Sequence, residues 1–212
     1  AYAKKNNIPL AEAKQQLNKY KSVTYKNEKA IDLTKIEEGF QVKTESKVYT
    51  SKRVVIATGH KDNIESIGIN GLVEVYGKSI YPCPFCDGFE MADKKLAVIG
   101  DATKAPMFSK VISHWSNDVI VFTNGNKVVD LDLKKELKSK NIDIIEDKIT
   151  KLHSSKGELL SIELEGGRSI DREGGFLPDT HSSESTSFAQ KMKIPTEEGK
   201  FGMSAYIIDE NK

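Results

Sequence analysis

A chain of 212 residues with 38% hydrophobic and 30% charged residues has the composition of a soluble globular protein, long enough for one large domain or two small ones. A formal net charge of +1 recommends neither nucleic acid nor a membrane surface as partner, and no span approaches the roughly 20 apolar residues of a membrane helix. Two cysteines do not make a secreted disulfide scaffold. No charged-then-apolar leader opens the sequence, so the expected location is cytoplasmic. The first residue is Ala1 rather than Met, and the expectation is a processed or partial segment.

Ile8-Pro9-Leu10 opens a helix, because a proline in the first turn lacks only an N–H that the helix does not use there. Leu10, Ala13, Leu17 and Tyr20 follow at helical spacing and predict one apolar face. From Lys21 to Thr58 the pattern changes to short strands at Val23/Tyr25, Ile31/Leu33, Phe40/Val42 and Val48/Tyr49. Polar turns such as Glu37-Glu38-Gly39 separate them, which predicts an antiparallel meander. It ends in an apolar strand, Arg53-Val54-Val55-Ile56, running into Ala57-Thr58-Gly59-His60. Small residues at that carboxyl end, Thr58 and Gly59 among them, let a backbone approach a ligand closely. Lys61 to Tyr81, with Gly68, Gly71 and Gly77, reads as a linker.

Lys95 to Ile99 reads as a strand, Gly100 to Ala105 as a tight turn, and the next segment as a helix burying Met107, Phe108, Val111, Ile112 and Trp115. Pro106 fits that helix only in its first turn. Val119 to Phe122 is the next strand. Asp130 caps a helix running through Lys140 with Leu133 and Leu137 inward, and Ile142, Ile144 and Ile145 form a third strand. This alternation predicts a Rossmann-type unit and an α/β fold class. Short strands return between Lys148 and Ile170, with turns at Gly157 and Gly166-Gly167, and Phe176-Leu177-Pro178 ends one more. Ser182 to Met192 reads as a helix with Phe188 and Met192 on one side, and Ala205 to Ile208 as a final strand.

Both cysteines lie in Tyr81-Pro82-Cys83-Pro84-Phe85-Cys86-Asp87-Gly88-Phe89-Glu90. A Cys-x-x-Cys pair can close a small disulfide ring, and such spacing often lowers the pKa of one thiol. The thiolate is the species that attacks a disulfide. Asp87 stands where a thiol proton could be donated or accepted, so Cys83, Cys86 and Asp87 are the catalytic candidates. Two plainer readings compete: an inert pair of small apolar residues, or half of a structural zinc site. Zinc wants four ligands. There is no second cysteine pair, and the four histidines, His60, His114, His153 and His181, are scattered singly, so no metal site is expected within the chain.

The turn after Ile99 stands where a dinucleotide fingerprint, G-x-G-x-x-G/A, belongs. Gly100 supplies the first position, Ala102 replaces the second glycine, and Ala105 takes the third, which packs helix on strand. One methyl at position 102 crowds a pyrophosphate without excluding it. Lys104 near the helix start could add charge for a phosphate. The plainer reading is a strand–turn–helix connection with no ligand. The arginines, Arg53, Arg168 and Arg172, do not follow Phe122, where a 2′-phosphate would be held, and no acid ends that strand to hold a ribose. The residues therefore do not choose between NADH and NADPH.

Together, the strand with Ala-Thr-Gly, the Cys-x-x-Cys-Asp-Gly stretch and the Rossmann unit resemble the bacterial low-molecular-weight thioredoxin reductases. More closely, they resemble the thioredoxin-reductase-like subgroup that includes reductases of epidithiodiketopiperazine disulfides. Cys83 through Glu90 matches that subgroup's Cys-Pro-Tyr/Phe-Cys-Asp/His-Gly-aromatic-Glu, and Phe122-Thr123-Asn124-Gly125 is similar to its later segment. The resemblance runs over essentially the whole chain.

It implies FAD, NADPH or NADH, and a Rossmann-type nicotinamide-binding domain inserted in an FAD-binding domain that is incomplete here. The implied boundaries are 1–80 for part of the FAD-binding domain, 81–178 for the NAD(P)-binding domain with the dithiol, and 179–212 for the return. Electrons would pass from NAD(P)H through FAD to the Cys83/Cys86 dithiol and on to a thioredoxin-like protein or a small-molecule disulfide. By position, Cys86 would face the flavin, Cys83 would attack the substrate and Asp87 would handle the proton. Thr58 and Gly59 would lie near FAD, and Asn124 would join Gly100, Ala102 and Ala105 at the nicotinamide cofactor. Family members are homodimers, and their nicotinamide domain moves between half-reactions. They begin with a strand and Gly-x-Gly-x-x-Gly and end with a Gly-Asp segment and a helix, so this sequence corresponds to the middle of such an enzyme. Two other readings of the residues stay open: an FAD-free dithiol module that senses redox state or binds a partner, and a metal site between two chains that each give one cysteine pair.

Overall fold

Leu96-Ala97-Val98-Ile99 and Val119-Ile120-Val121-Phe122 are apolar at every position, the pattern of strands covered on both faces. The computed structural model, which describes residues 10–198 and 204–207, pairs them as the middle of a parallel sheet. They belong to the larger of two compact units, Thr58–Ser185; the other is Ala1–Ala57 with Thr186–Lys212.

The larger unit is built on strands β5 (Ile80–Tyr81), β6 (Leu96–Ile99), β7 (Val119–Phe122), β8 (Asp143–Ile145) and β12 (Gly174–Phe176). Their order across the sheet is β5-β12-β6-β7-β8, all parallel. Helix α4 (Lys104–Ile112) joins β6 to β7, and α5 (Leu131–Ser139) joins β7 to β8. Side chains alternate across a strand, so one strand feeds two cores. Leu96, Val98, Val119 and Val121 pack with Ala105 and Ile112 of α4 and Leu137 of α5. Ala97, Ile99 and Phe122 pack on the opposite face with Leu152, Leu159 and Ile162. Those last three come from an antiparallel sheet of β9 (Ile149–Ser155), β10 (Glu158–Leu164) and β11 (Ser169–Asp171), in the order β11-β10-β9. The unit is thus three layers: helices, parallel sheet, antiparallel sheet.

Several expectations hold in detail. Pro106 lies in the first turn of α4. The Asp130 carboxylate accepts from the amides of Asp132 and Leu133 at 3.0 and 2.9 Å and so caps α5. Of the expected face of α4, Ile112 is buried, Phe108 packs against the same core, and Met107 is exposed; Ala105, Pro106 and Ser109 make up the rest of the buried face.

Lys61 to Tyr81 is not a linker. It holds a 3-10 turn at Ile64–Ile67 and a short helix, α2 (Leu72–Val75), and it contributes Ile69, Leu72, Val75 and Ile80 to the core. Gly68, Gly71 and Gly77, interspersed with the buried Ile69, Leu72 and Val75, disguised it. Ser182–Met192 is not one helix either. Strand β13 (Ser183–Glu184) pairs with β4 (His60–Lys61), and the helix α6 is confined to Phe188–Lys191. Residues 53–59, expected as an apolar strand, lie outside any strand, with Val55 89% exposed. No strand among the described residues forms a ladder with them.

In the smaller unit, β1 (Ala30–Ile36), β2 (Gly39–Thr44) and β3 (Val48–Ser51) form the expected antiparallel meander. Val23 and Tyr25 do not add a strand to it; both are exposed, and the Tyr25 ring lies under the Lys14 ammonium, 4.6 Å from its centroid. Helix α1 (Leu10–Leu17) forms, but Ala13, Leu17 and Tyr20 are exposed. Strand β15 (Ser204–Tyr206) pairs with β14 (Thr196–Glu198). Ile8, Pro9 and Ile208 lie outside the described residues.

Strand β12 enters between β5 and β6 because it is nearly all backbone. A Cβ at Gly175 would stand 2.1 Å from the Ala97 carbonyl oxygen, and one at Gly174 would stand 2.8 Å from that of Ser79. Gly175→Ala is expected to lower stability by about 1–3 kcal/mol through overpacking, read as a lower urea midpoint at unchanged m-value.

Candidate active site

The dithiol follows directly from β5. That strand is held by β12, with Gly175 beside Ile80 and Phe176 beside Tyr81, and the Leu177 amide donates to the Tyr81 carbonyl at 2.9 Å. Pro82 then leads to Cys83, which is extended (φ −129°, ψ 111°) and precedes the one-turn helix α3 (Pro84–Asp87). Pro84 is its first residue, where a proline's fixed φ helps and its missing N–H costs nothing. The amides of Cys86 and Asp87 both donate to the Cys83 carbonyl, each at 3.2 Å. The two cysteines are therefore one turn apart. Both are thiols, Cys83 half-buried and Cys86 exposed. Asp87 ends the same helix and is half-buried. Among the described residues, no three His, Cys, Asp or Glu side chains gather as a metal site.

The helix rests on the chain's tryptophan. Gly88 has ordinary helical angles (φ −64°, ψ −35°), so its glycine serves space rather than conformation. A Cβ there would lie 2.5 Å from the Trp115 ring and 2.3 Å from the Pro84 carbonyl oxygen. Phe85 and Phe89 flank the dithiol with more than four-fifths of their surface exposed. Behind it, the Tyr76 hydroxyl donates to Asp62 at 2.7 Å and the Thr180 hydroxyl to the same carboxylate at 2.6 Å. Burial pushes the Asp62 carboxyl up, but those hydroxyls together with Ser182 outweigh it and hold it below the usual range. Burial first, then the Asp62 bond, drives the Tyr76 phenol far upward.

A second feature opens on the same sheet edge. From β6 the chain proceeds outward through β7 to β8, and it returns to the other side of β6 as β12. The strand order thus reverses between β6 and β12, and the crevice at the carboxyl ends of such strands is where open α/β sheets bind ligands. Here it is a cavity of about 190 Å³ lined by Gly100, Asp101, Asn124, Leu177, Asp179 and His181 among others. A Cβ at Gly100 would meet the Ala105 Cβ at 3.2 Å and the Pro178 ring at 3.3 Å, so a larger residue would press on both. Ala105 is fully buried between helix and strand, and Ala102 is half-buried. Asn124 (φ 49°) accepts from the Ile149 amide at 3.0 Å and so fixes its turn to β9.

The charges in this crevice are already matched to one another. The Asp101 carboxylate accepts from the Thr103 and Lys104 amides, both at 2.7 Å. Lys104, read from the sequence as a phosphate partner, is paired with Asp179 at 2.5 Å. The Lys104 bond holds the Asp179 carboxyl below the usual range, and Asp179 in turn pushes the Lys104 ammonium up. Asp179 also accepts from the His181 amide at 3.0 Å. Nothing local in the sequence points to a pair 75 residues apart.

Cys83, Cys86 and Asp87 thus share one helix, and Gly100, Ala102, Ala105 and Asn124 gather at one crevice. Thr58 and Gly59 lie in the exposed segment before β4. Gly59 has φ 73° with open space on its Cβ side, a backbone that a ligand could approach, and its carbonyl accepts from the Ser185 amide at 3.0 Å. Gly88, Trp115, Gly175 and Asp179 were not read as site residues from the sequence.

Gly88→Ala is expected to lift α3 from Trp115. The check is a shift in Trp115 emission together with at least about a twofold change in the rate of thiol labelling by an aromatic disulfide, since reactivity follows exposure and local environment.

No family model matches the chain. It is 36% identical over 124 residues to a protein of Arthroderma benhamiae named "Probable thioredoxin reductase", a match covering 55% of this chain and 30% of that one. It is 26% identical over 177 residues to thioredoxin reductase aclD of Aspergillus oryzae, covering 79% and 54%. The crystal structure of TrxB from Bacillus anthracis superposes with a TM-score of 0.79 at 31% identity, over 98% of this chain and 66% of that one. The chain spans from about a third to about half the length of these curated relatives. The superposition on TrxB covers nearly the whole of this chain at 31% identity, and the chain belongs to the thioredoxin-reductase-like pyridine nucleotide-disulfide oxidoreductases.

Proposed function

We propose that this chain is the dithiol- and nucleotide-bearing part of a flavin-dependent disulfide reductase. One observation carries the reading: two thiols one helical turn apart, at the same sheet edge as a switch-point crevice. The relatives' names point the same way. The residues around Gly59 and Gly100 suit the two cofactors that the family implies. Thr58 and Gly59 would hold FAD. Gly100, Ala102, Ala105 and Asn124 would hold NADPH or NADH, with Lys104 as their cation. When bound, FAD supplies the electron pair that returns a Cys83–Cys86 disulfide to the dithiol, with NAD(P)H as its source.

The chain's own residues carry the rest. Asp87 accepts the proton that leaves the attacking thiol. The Cys83 thiolate attacks one sulfur of a substrate disulfide, forming a mixed disulfide and expelling the other sulfur as a thiolate. Cys86, one turn away, then attacks the Cys83 sulfur. That closes the Cys83–Cys86 bond and expels the second substrate thiolate; Asp87 passes the Cys83 proton to the first leaving sulfur and then the Cys86 proton to the second. The substrate gains two electrons and two protons, and the dithiol loses them. A thioredoxin-like protein or a small-molecule disulfide suits this chemistry, in a homodimer in the cytoplasm. Residues 81–178 would form the NAD(P)-binding domain, with 1–80 and 179–212 belonging to the FAD-binding domain.

Two measurements test it. The purified chain supplied with FAD is expected to hold a flavin band that NADH or NADPH bleaches anaerobically; absence of the band would leave a dithiol module without flavin chemistry. Cys86→Ser is expected to trap a mixed disulfide between Cys83 and an aromatic disulfide, visible by mass spectrometry. Cys83→Ser is expected to release far less thiol, and the opposite pattern would reverse the two roles.

A further inference from the structure

In the crevice between β6 and β12, the cation that a dinucleotide would use is already engaged. Lys104 comes from the first turn of α4, after β6. Asp179 comes from the segment after β12. Their ion pair therefore spans the switch point. The amides at the start of α4, the usual donors to a pyrophosphate, are taken by Asp101. Asp179 is held from its own side as well: it accepts from the His181 amide, and the His181 ring is bonded to the Ser66 hydroxyl at 2.7 Å.

We infer that Asp179 is a latch on the nucleotide crevice: it keeps Lys104 from the phosphates of a nicotinamide dinucleotide, which binds by drawing Lys104 away from it. This inference rests on the proposed reading of the crevice as a nicotinamide dinucleotide site. Two physical points support it. The dinucleotide's pyrophosphate brings two negative charges to a crevice whose lining already includes the carboxylates of Asp101 and Asp179. With Lys104 on Asp179, that charge is opposed; with Lys104 on the phosphates, it is answered. The pair is also partly exposed, 50% for the lysine side chain and 34% for the aspartate. Exposed pairs are weak, so this one can yield to a ligand carrying more charge. The latch would make nucleotide affinity a property of Asp179 as well as of the glycine turn.

The test is calorimetric titration of NADPH, and separately NADH, into the wild-type chain and into Asp179→Asn, Lys104→Met and the double variant. Asparagine keeps an oxygen for the His181 amide, so the segment retains its anchor. Asp179→Asn is expected to tighten binding by about three- to tenfold, because removing a weak pair and a like charge acts in one direction. Lys104→Met is expected to weaken binding, and adding Asp179→Asn to it to recover less than about twofold. Wild-type binding that Asp179→Asn leaves unchanged or weakens would overturn the latch while leaving the nucleotide reading intact. An equal gain in both backgrounds would also overturn it, since Asp179 would then act by charge alone. No binding by the wild type or by Asp179→Asn would overturn the latch and the nucleotide reading together.

Discussion

The larger unit depends on one strand that carries almost no side chains. β12 lies between β5 and β6 with Gly174 and Gly175 against carbonyl oxygens on either side. A central parallel strand must be hydrogen-bonded on both edges and covered on both faces. β12 meets the first demand with backbone alone and the second with Phe176, fully buried among Leu96, Val98 and Ile112 on one face, and Leu177 just after it in the core on the other. Because it returns after β8 to the far side of β6, it creates the reversal of strand order that makes a crevice. Because it also pairs with β5, it fixes the strand from which the dithiol emerges. Both halves of the candidate site therefore take their positions from the same three residues.

The dithiol needs a second support, since a one-turn helix has little stability of its own. The support is a packing contact rather than a polar one. Trp115 follows α4 and presents its ring to Gly88, so the helix that packs on β6 and β7 also sets the floor of the Cys-x-x-Cys turn. The Cys83 carbonyl closes the turn from within. On this floor Cys86 remains exposed while Cys83 is half covered. The two thiols thus differ in accessibility although they share one helix.

What could be read from the sequence follows from the range of the signal. Strands apolar at every position and helices with spaced leucines gave the Rossmann unit, and an aspartate before Leu131 gave its cap, because each is a local pattern. The Cys-x-x-Cys turn and the Gly100 turn were legible for the same reason. Ile69, Leu72, Val75 and Ile80 were mistaken for linker because their order comes from contact with β9 and β10, far away in sequence. Arg53 to Ile56 misled in the opposite way: apolar and β-branched residues suit a strand, but a strand also needs a partner, and propensity says nothing about partners. Ser183 and Glu184 fit a helical pattern in sequence, but their partners, Lys61 and His60, draw them into a ribbon. Lys104 stands beside the turn, where the sequence places a charge, but that charge is engaged by Asp179, a partner no local pattern indicates.

Two ion pairs at opposite ends of this sheet illustrate why availability matters. At the amino-terminal edge, Arg172 is 6% exposed; it donates to Asp118 at 2.6 Å and to the Leu96 carbonyl at 3.3 Å. Its Asp118 partner is 47% exposed and keeps solvent, so the cost of separating them falls on the arginine: a guanidinium buried without a counter-ion is strongly disfavoured. Such a contact fixes β6 against β7 and does not exchange partners at ordinary cost. At the carboxyl-terminal edge, Lys104 and Asp179 are both open to water, and pairs of that kind contribute about 0–1 kcal/mol. The same sheet is therefore pinned by a buried guanidinium at its amino-terminal edge and carries an exchangeable contact at the crevice. Burial makes that difference, and it cannot be read from the residue types, which in both cases are one basic and one acidic side chain.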